Sequence, residues 1–154
     1  MLSKILKTAT GVAVGLLVVM QFFRPERTNP PSDPAASFDA VAKPSQELAS
    51  TLRRACYDCH SNQTNWPWYS NVAPMSWLVV SDVKEGRAKL NFSEWTRPGR
   101  EGELPSLQEV CESVRSGKMP FQSYLLLHPD ARLTDQEIAA LCFGGGAEKS
   151  GAEE

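Results

Sequence analysis

Cys56-Tyr57-Asp58-Cys59-His60 is the stretch on which the rest of the chain is read. Two thiols three residues apart, followed at once by an imidazole, form the pentad of c-type haem attachment. On a helical turn positions i, i+3 and i+4 share one face, so both sulfurs and the His60 ring can address one ligand. The thiols suit thioether bonds to the two vinyl groups of a haem, and His60 suits ligation of its iron. With four Cys and two His in the whole chain, chance assembly of the pentad is rare. The competing assignment is a redox or zinc Cys-x-x-C. Zinc would need Cys56 and Cys59 with two of His60, His128, Cys111 and Cys142, and adjacent Cys59 and His60 fit one tetrahedral ion poorly.

Upstream of the pentad, Ser45 is a helix cap with Glu47 in the first turn. Leu48, Leu52, Ala55, Cys56 and Cys59 then follow at the spacing of one helical face, which predicts a helix running straight into the motif. Residues 28–44 contain Pro30, Pro31, Pro34 and Pro44 and read as an extended, Pro-rich linker. Residues 1–27 carry Lys4 and Lys7 ahead of a largely apolar run of 16 residues, 8–23. About 20 apolar residues span a bilayer comfortably, and a shorter run equally suits a secretory signal. Phe22, Phe23, Arg24 and Pro25 offer no small-residue cleavage site, so an uncleaved signal-anchor is expected.

Downstream, residues 62–74 form a loop dense in aromatic residues. Trp66, Trp68 and Tyr69 are expected to line a haem edge, their polar tips donating to propionates, or else to serve as ordinary packing. Pro74 suits the first turn of a second helix over 75–90, and residues 91–105 form a further loop. Two capping boxes, Ser106-x-x-Glu109 and Thr134-x-x-Glu137, start two more helices. In the first, Leu107, Val110, Cys111 and Val114 share one face, and Gly117 stops it. In the second, Ile138, Leu141 and Cys142 repeat the pattern before Gly144-Gly145-Gly146. Residues 144–154 read as a disordered tail.

Met119, just after the Gly117 stop, is the expected second iron ligand, because His/Met ligation is established haem chemistry. His128 is the alternative, through bis-His ligation, or simply a hydrogen-bonding loop residue. Met75 is a weaker candidate. Cys111 and Cys142 can form a disulfide if their helices pack closely, or remain two buried thiols.

The net charge of −2 gives no ground for a nucleic-acid partner. Residues 1–29 carry four basic groups and one acidic group, leaving 12 basic and 17 acidic residues from Pro30 onward.

Taken with Ser61-Asn62-Gln63-Thr64-Asn65-Trp66-Pro67-Trp68-Tyr69-Ser70, Val72-Ala73-Pro74, Glu85-Gly86-Arg87 and Asn91-Phe92-Ser93-Glu94-Trp95, the pentad resembles the bacterial haem-binding domain family of c-type cytochromes. Lys118-Met119-Pro120, Tyr124, Leu127-His128-Pro129 and Leu133-Thr134 continue the resemblance, as does Arg24-Pro25-Glu26-Arg27. It covers residues 24–141. More distantly, the order of helix, motif, Met loop and final helix is similar to class I cytochromes c, although the final helix here ends early, at Leu141-Cys142-Phe143-Gly144.

The expected fold is a small all-α, cytochrome c-like domain over 45–143 around one covalent haem c, with the membrane anchor ahead of it. Haem attachment of this kind takes place outside the cytoplasm, which sets the domain on the periplasmic side of a bacterial inner membrane. The expected function is electron transfer by a mono-haem carrier, not an enzyme, with redox partner proteins the sequence does not name. The alternative is a haem-based sensor or peroxidase-like protein with a labile distal ligand.

Overall fold

A computed structural model of the chain describes residues 1–96 and 107–143. Among the described residues every regular element is helical and there is no strand, so the fold is all-α as expected. Helix α1 (Leu2–Met20) runs into a 3₁₀ turn, Gln21–Phe23. None of its residues is buried, and an 18-residue stretch of the 22-residue segment Leu2–Phe23 has a mean hydropathy of 1.7. That is long and apolar enough to cross a membrane, and longer than the run of apolar residues alone suggests.

Residues 28–44, expected to be extended throughout, contain a 3₁₀ turn at Pro34–Ala36 and helix α2 (Phe38–Ala42). Each has a local cap: Asp33 accepts from Ala35 N at 2.9 Å and Ser37 Oγ from Ala40 N at 3.3 Å. The Pro-rich composition hides the importance of Phe38, the one aromatic side chain in the stretch. It is 1% exposed and sits edge-on to Phe92 and Trp95, a burial that contributes about 2–3 kcal/mol.

Helix α3 (Gln46–Ala55) starts where the sequence predicts, with Ser45 Oγ accepting from Leu48 N at 3.2 Å. Arg53 and Arg54 fill its last turn, where the helix dipole favours positive charge. Its apolar stripe does not continue unbroken into the pentad. Cys56 leaves the helical conformation at φ −127°, and α4 (Tyr57–His60) is a separate short turn.

Helix α5 (Met75–Lys89) follows, then α6 (Leu107–Arg115). Gly117, at φ 69°, stops α6 as expected, because a side chain is strained in that left-handed region. Helix α7 (Gln122–Leu127) lies where the sequence shows no helical signal, and α8 (Asp135–Phe143) closes the domain. The expected loop residues 97–105, the Ser106 cap, the glycine stop at 144–146 and the tail lie outside the described residues.

The core gathers Phe38, Leu48, Leu52, Tyr57, Leu90, Phe92, Cys111 and Leu141. Phe92 is its hub, fully buried and stacked on Tyr57 at 5.0 Å and on Trp95 at 6.0 Å. Cys111 and Cys142 form a disulfide, with Cα atoms 5.0 Å apart. It fastens α6 to α8 across 31 residues of sequence. A cross-link of that span contributes on the order of 3 kcal/mol, mainly by restricting the unfolded chain.

The second capping box forms as the sequence predicts. Glu137 N donates to Thr134 Oγ1 at 3.2 Å, and Thr134 N donates back to the Glu137 carboxylate at 2.8 Å. The same carboxylate accepts from Arg54 of α3, tying α8 to the helix that leads into the pentad. The Thr134 backbone N–H, then its hydroxyl and Arg54, hold Glu137 below the usual carboxylate range against the opposing effect of burial. A carboxyl depressed in the folded state adds stability above its unfolded pKa and loses it as pH falls through the folded value. Glu137→Ala is therefore expected to lower the thermal unfolding midpoint at pH 7. Circular dichroism melts should show the deficit narrowing as the pH drops below about 4.

Candidate functional site

The pentad forms a single turn that opens at Cys56. Cys56 O accepts from Cys59 N at 3.2 Å and from His60 N at 2.9 Å, which brings both thiols and the imidazole to one side. Neighbouring polar groups hold this turn from several directions. Asp58 takes Asn65 N at 3.0 Å on one carboxylate oxygen and the Tyr124 hydroxyl, also at 3.0 Å, on the other. Ser61, fully buried, donates to Tyr57 O at 2.7 Å, and Thr64 Oγ1 donates to Asp58 O at 2.7 Å. Asn91 Nδ2 donates to Asn62 Oδ1 at 2.9 Å, and Asn62 N donates to Ser93 Oγ at 3.0 Å. Arg87 Nε donates to Ser61 O at 2.7 Å.

The last turn of α5 controls the imidazole. His60 Nδ1 lies 3.0 Å from Gly86 O and 3.2 Å from Leu90 O. Two carbonyl acceptors require the proton on Nδ1, and Nε2 is left with a lone pair for a metal. Burial pulls the His60 pKa down against these two hydrogen bonds, which favours the neutral ring. Burial also raises the Cys56 thiol to about 12, with Cys59 adding to the effect. Cys59 rises to about 11, through burial and then through Asp58 and Asp82. Both sulfurs are free of any disulfide.

A cavity of about 430 Å³ opens beside this turn, within the range of cofactor sites. Cys56, His60 and Met119 line it together with the apolar Leu90, Phe92, Val110, Val114 and Pro120. A smaller adjoining cleft of about 60 Å³ shares Cys56, His60 and Met119 and adds Cys59 and Tyr124. The backbone places Met119 here. Past the left-handed Gly117, Lys118 N and Met119 N both donate to Ser113 O, at 3.0 and 3.1 Å, so the stop of α6 fixes where the thioether begins.

Cys56, Cys59, His60 and Met119 are thus brought together, and the other expected residues are not. Trp66 lies under the Arg87 guanidinium, 6.0 Å from ring centroid to Cζ. Trp68 is 77% exposed, and Tyr69 packs against Trp68 and His128. None of the three lines either cleft. His128 is stacked on Tyr124 at 4.0 Å, with Nδ1 3.2 Å from Tyr124 O, and lines a separate polar surface cleft with Arg53, Arg54 and Asp130. Met75 is exposed at the opposite end of α5. The disulfide removes Cys111 and Cys142 from any zinc site. Among the described residues no three His, Cys, Asp or Glu side chains converge as metal ligands.

Sequence reasoning did not single out Gly86 or Tyr124 for a role in the site. A lone glycine inside a helical pattern was the available signal for the first. A Cβ on Gly86 would stand 2.5 Å from Cys59 O and 3.3 Å from Cys59 Cβ. Only a glycine lets α5 approach the pentad closely enough for its carbonyls to hold His60.

A family model described as "Haem-binding domain" matches residues 15–144. No curated protein and no solved structure matches the chain. The residues present fit the group. A neutral imidazole presents one nitrogen, two unpaired thiols share its turn, a thioether lines the same cavity, and the remaining walls are mainly apolar.

Gly86→Ala is expected to push α5 off the pentad and to lower stability by about 1–3 kcal/mol, the usual cost of overpacking. The purified variant should melt earlier and carry less haem than the wild type. A variant that melts and loads like the wild type would contradict this role for the glycine.

Proposed function

Since the chain belongs to the haem-binding domain family, we propose that it is a mono-haem c-type cytochrome that carries electrons. Cys56 and Cys59 would hold the haem covalently, and His60 and Met119 would ligate its iron. A haem held in this way supplies one-electron chemistry at its iron. The observation that carries the proposal is the shared cavity, in which His60, oriented by two carbonyls, and Met119 both take part. With His60 and Met119 both ligating the iron, no coordination site would be left for a substrate, which favours a carrier over an enzyme. The apolar wall of Leu90, Phe92, Val110 and Val114 excludes water and helps set the potential.

The same reading places the domain on the periplasmic side of a bacterial inner membrane, with α1 as its anchor. Two observations support this. No residue of helix α1 is buried and it is apolar enough to span, and the Cys111–Cys142 disulfide suits an oxidising compartment.

The ligand set can be tested on the full-length, haem-loaded protein. The ferric form should show the weak long-wavelength band of sulfur-to-iron ligation, and the reduced form should resist carbon monoxide. Met119→Ala should abolish the band, admit carbon monoxide and lower the potential. His128→Ala should leave the band in place. If His128→Ala opened the iron and Met119→Ala were silent, the haem would be bis-His. Ready binding of carbon monoxide by the wild type would favour the sensor or peroxidase-like alternative.

A further inference from the structure

The segment between α1 and the domain is tied down at nearly every step. Gln21 exchanges two hydrogen bonds with the Ala73 backbone: its Nε2 donates to Ala73 O at 3.1 Å, and Ala73 N donates to its Oε1 at 3.0 Å. Trp77 Nε1 donates to Phe23 O at 2.8 Å, and Arg24 donates to Asn71 O. Farther along, Arg87 donates to Thr28 O and to Asn29 Oδ1, each at 2.9 Å, and Asn29 Nδ2 donates to Thr64 O at 2.9 Å. The end of α1 and the first turn of α5 are therefore held against each other.

That contact determines what lies beside the end of α1. If α1 spans a bilayer, Gln21–Phe23 emerge at its surface, and Ala73 and Trp77 must be there too. The side chains around them are apolar and exposed: Leu78 is 57% accessible, Val72 44%, Met75 39% and Trp77 38%. Phe22 and Phe23 extend the same apolar surface from the α1 side. A half-exposed tryptophan with its N–H already bonded suits the boundary between headgroups and acyl chains.

We propose that Val72, Met75, Trp77 and Leu78, continuous with Phe22 and Phe23, lie in the interfacial layer of the bilayer that α1 spans. The domain then rests on lipid in one orientation and does not swing on a free stalk. This inference depends on α1 being a membrane anchor. It gives α5 a second role as a strut. Its first turn meets the lipid, while Gly86 and Leu90 at its far end hold His60, with about 16 Å of helix rise from Met75 to Gly86.

The test uses the full-length, haem-loaded protein in phospholipid nanodiscs. A photoreactive p-benzoylphenylalanine is placed at one position per variant: Val14 in α1, Leu78 in the proposed interface, or Gln136 on α8, which packs on α3 and α6. All three residues are exposed, so the label need not disturb the fold, and an unchanged absorption spectrum verifies that. After illumination, mass spectrometry reads the lipid adducts. The expected result is an adduct at Leu78 within a few-fold of that at Val14, with Gln136 at background. An adduct at Val14 without one at Leu78 would overturn the interface and leave the anchor standing. No adduct at Val14 would overturn the anchor and the interface with it, and equal adducts at Leu78 and Gln136 would overturn the fixed orientation.

Discussion

The contact between the last turn of α5 and the Cys56–His60 turn is the constraint on which the site depends. Two backbone carbonyls, Gly86 O and Leu90 O, accept from one imidazole nitrogen and so determine which nitrogen is left to bind a metal. The contact is possible because residue 86 has no side chain: a methyl group there would collide with Cys59 O. The two halves of the site are therefore interdependent. The helix orients the ligand, and the ligand turn dictates the residue the helix can carry.

Around that contact the chain uses polar residues where a small domain would ordinarily use apolar ones. Ser61, Asn62, Thr64, Ser70, Asn91 and Ser93 are all buried. Burying a polar group is costly unless it is hydrogen-bonded, and each of these six has a partner. They fix the backbone of the pentad, the segment just after it and both sides of Phe92, so the cavity wall stays in place without being filled by side chains. On the other side, Gly117 and the doubly bonded Ser113 carbonyl do the same for Met119. The disulfide holds α6, which supplies Val110 and Val114 to the cavity, against α8.

Much of this was legible in the residues because the signals were local. The Ser45 and Thr134 caps, the Gly117 stop and the helix that follows Pro74 each act within a few positions, and the structure bears them out. What the sequence concealed depends on distant partners. Helix α2 looks like linker until Phe38 meets Phe92 and Trp95. Helix α7 is six residues long, too short to declare itself by period. The disulfide stayed undecided because its geometry depends on how α6 and α8 pack. The aromatic cluster at Trp66, Trp68 and Tyr69 suggested a haem edge by composition, whereas their places follow from Arg87 and His128. Gln21 gave no sign of joining α1 to Ala73, since that partner lies 52 residues away along the chain.

Everything proposed for this chain rests on the pentad holding a haem by covalent bonds. Intact mass spectrometry under denaturing conditions, after acid–acetone extraction of the full-length protein, tests this most directly. The expected result is a chain heavier by one haem, with the added mass retained through extraction and absent when Cys56 and Cys59 are both replaced by alanine. A chain that gives up all of its haem to the solvent would contradict it.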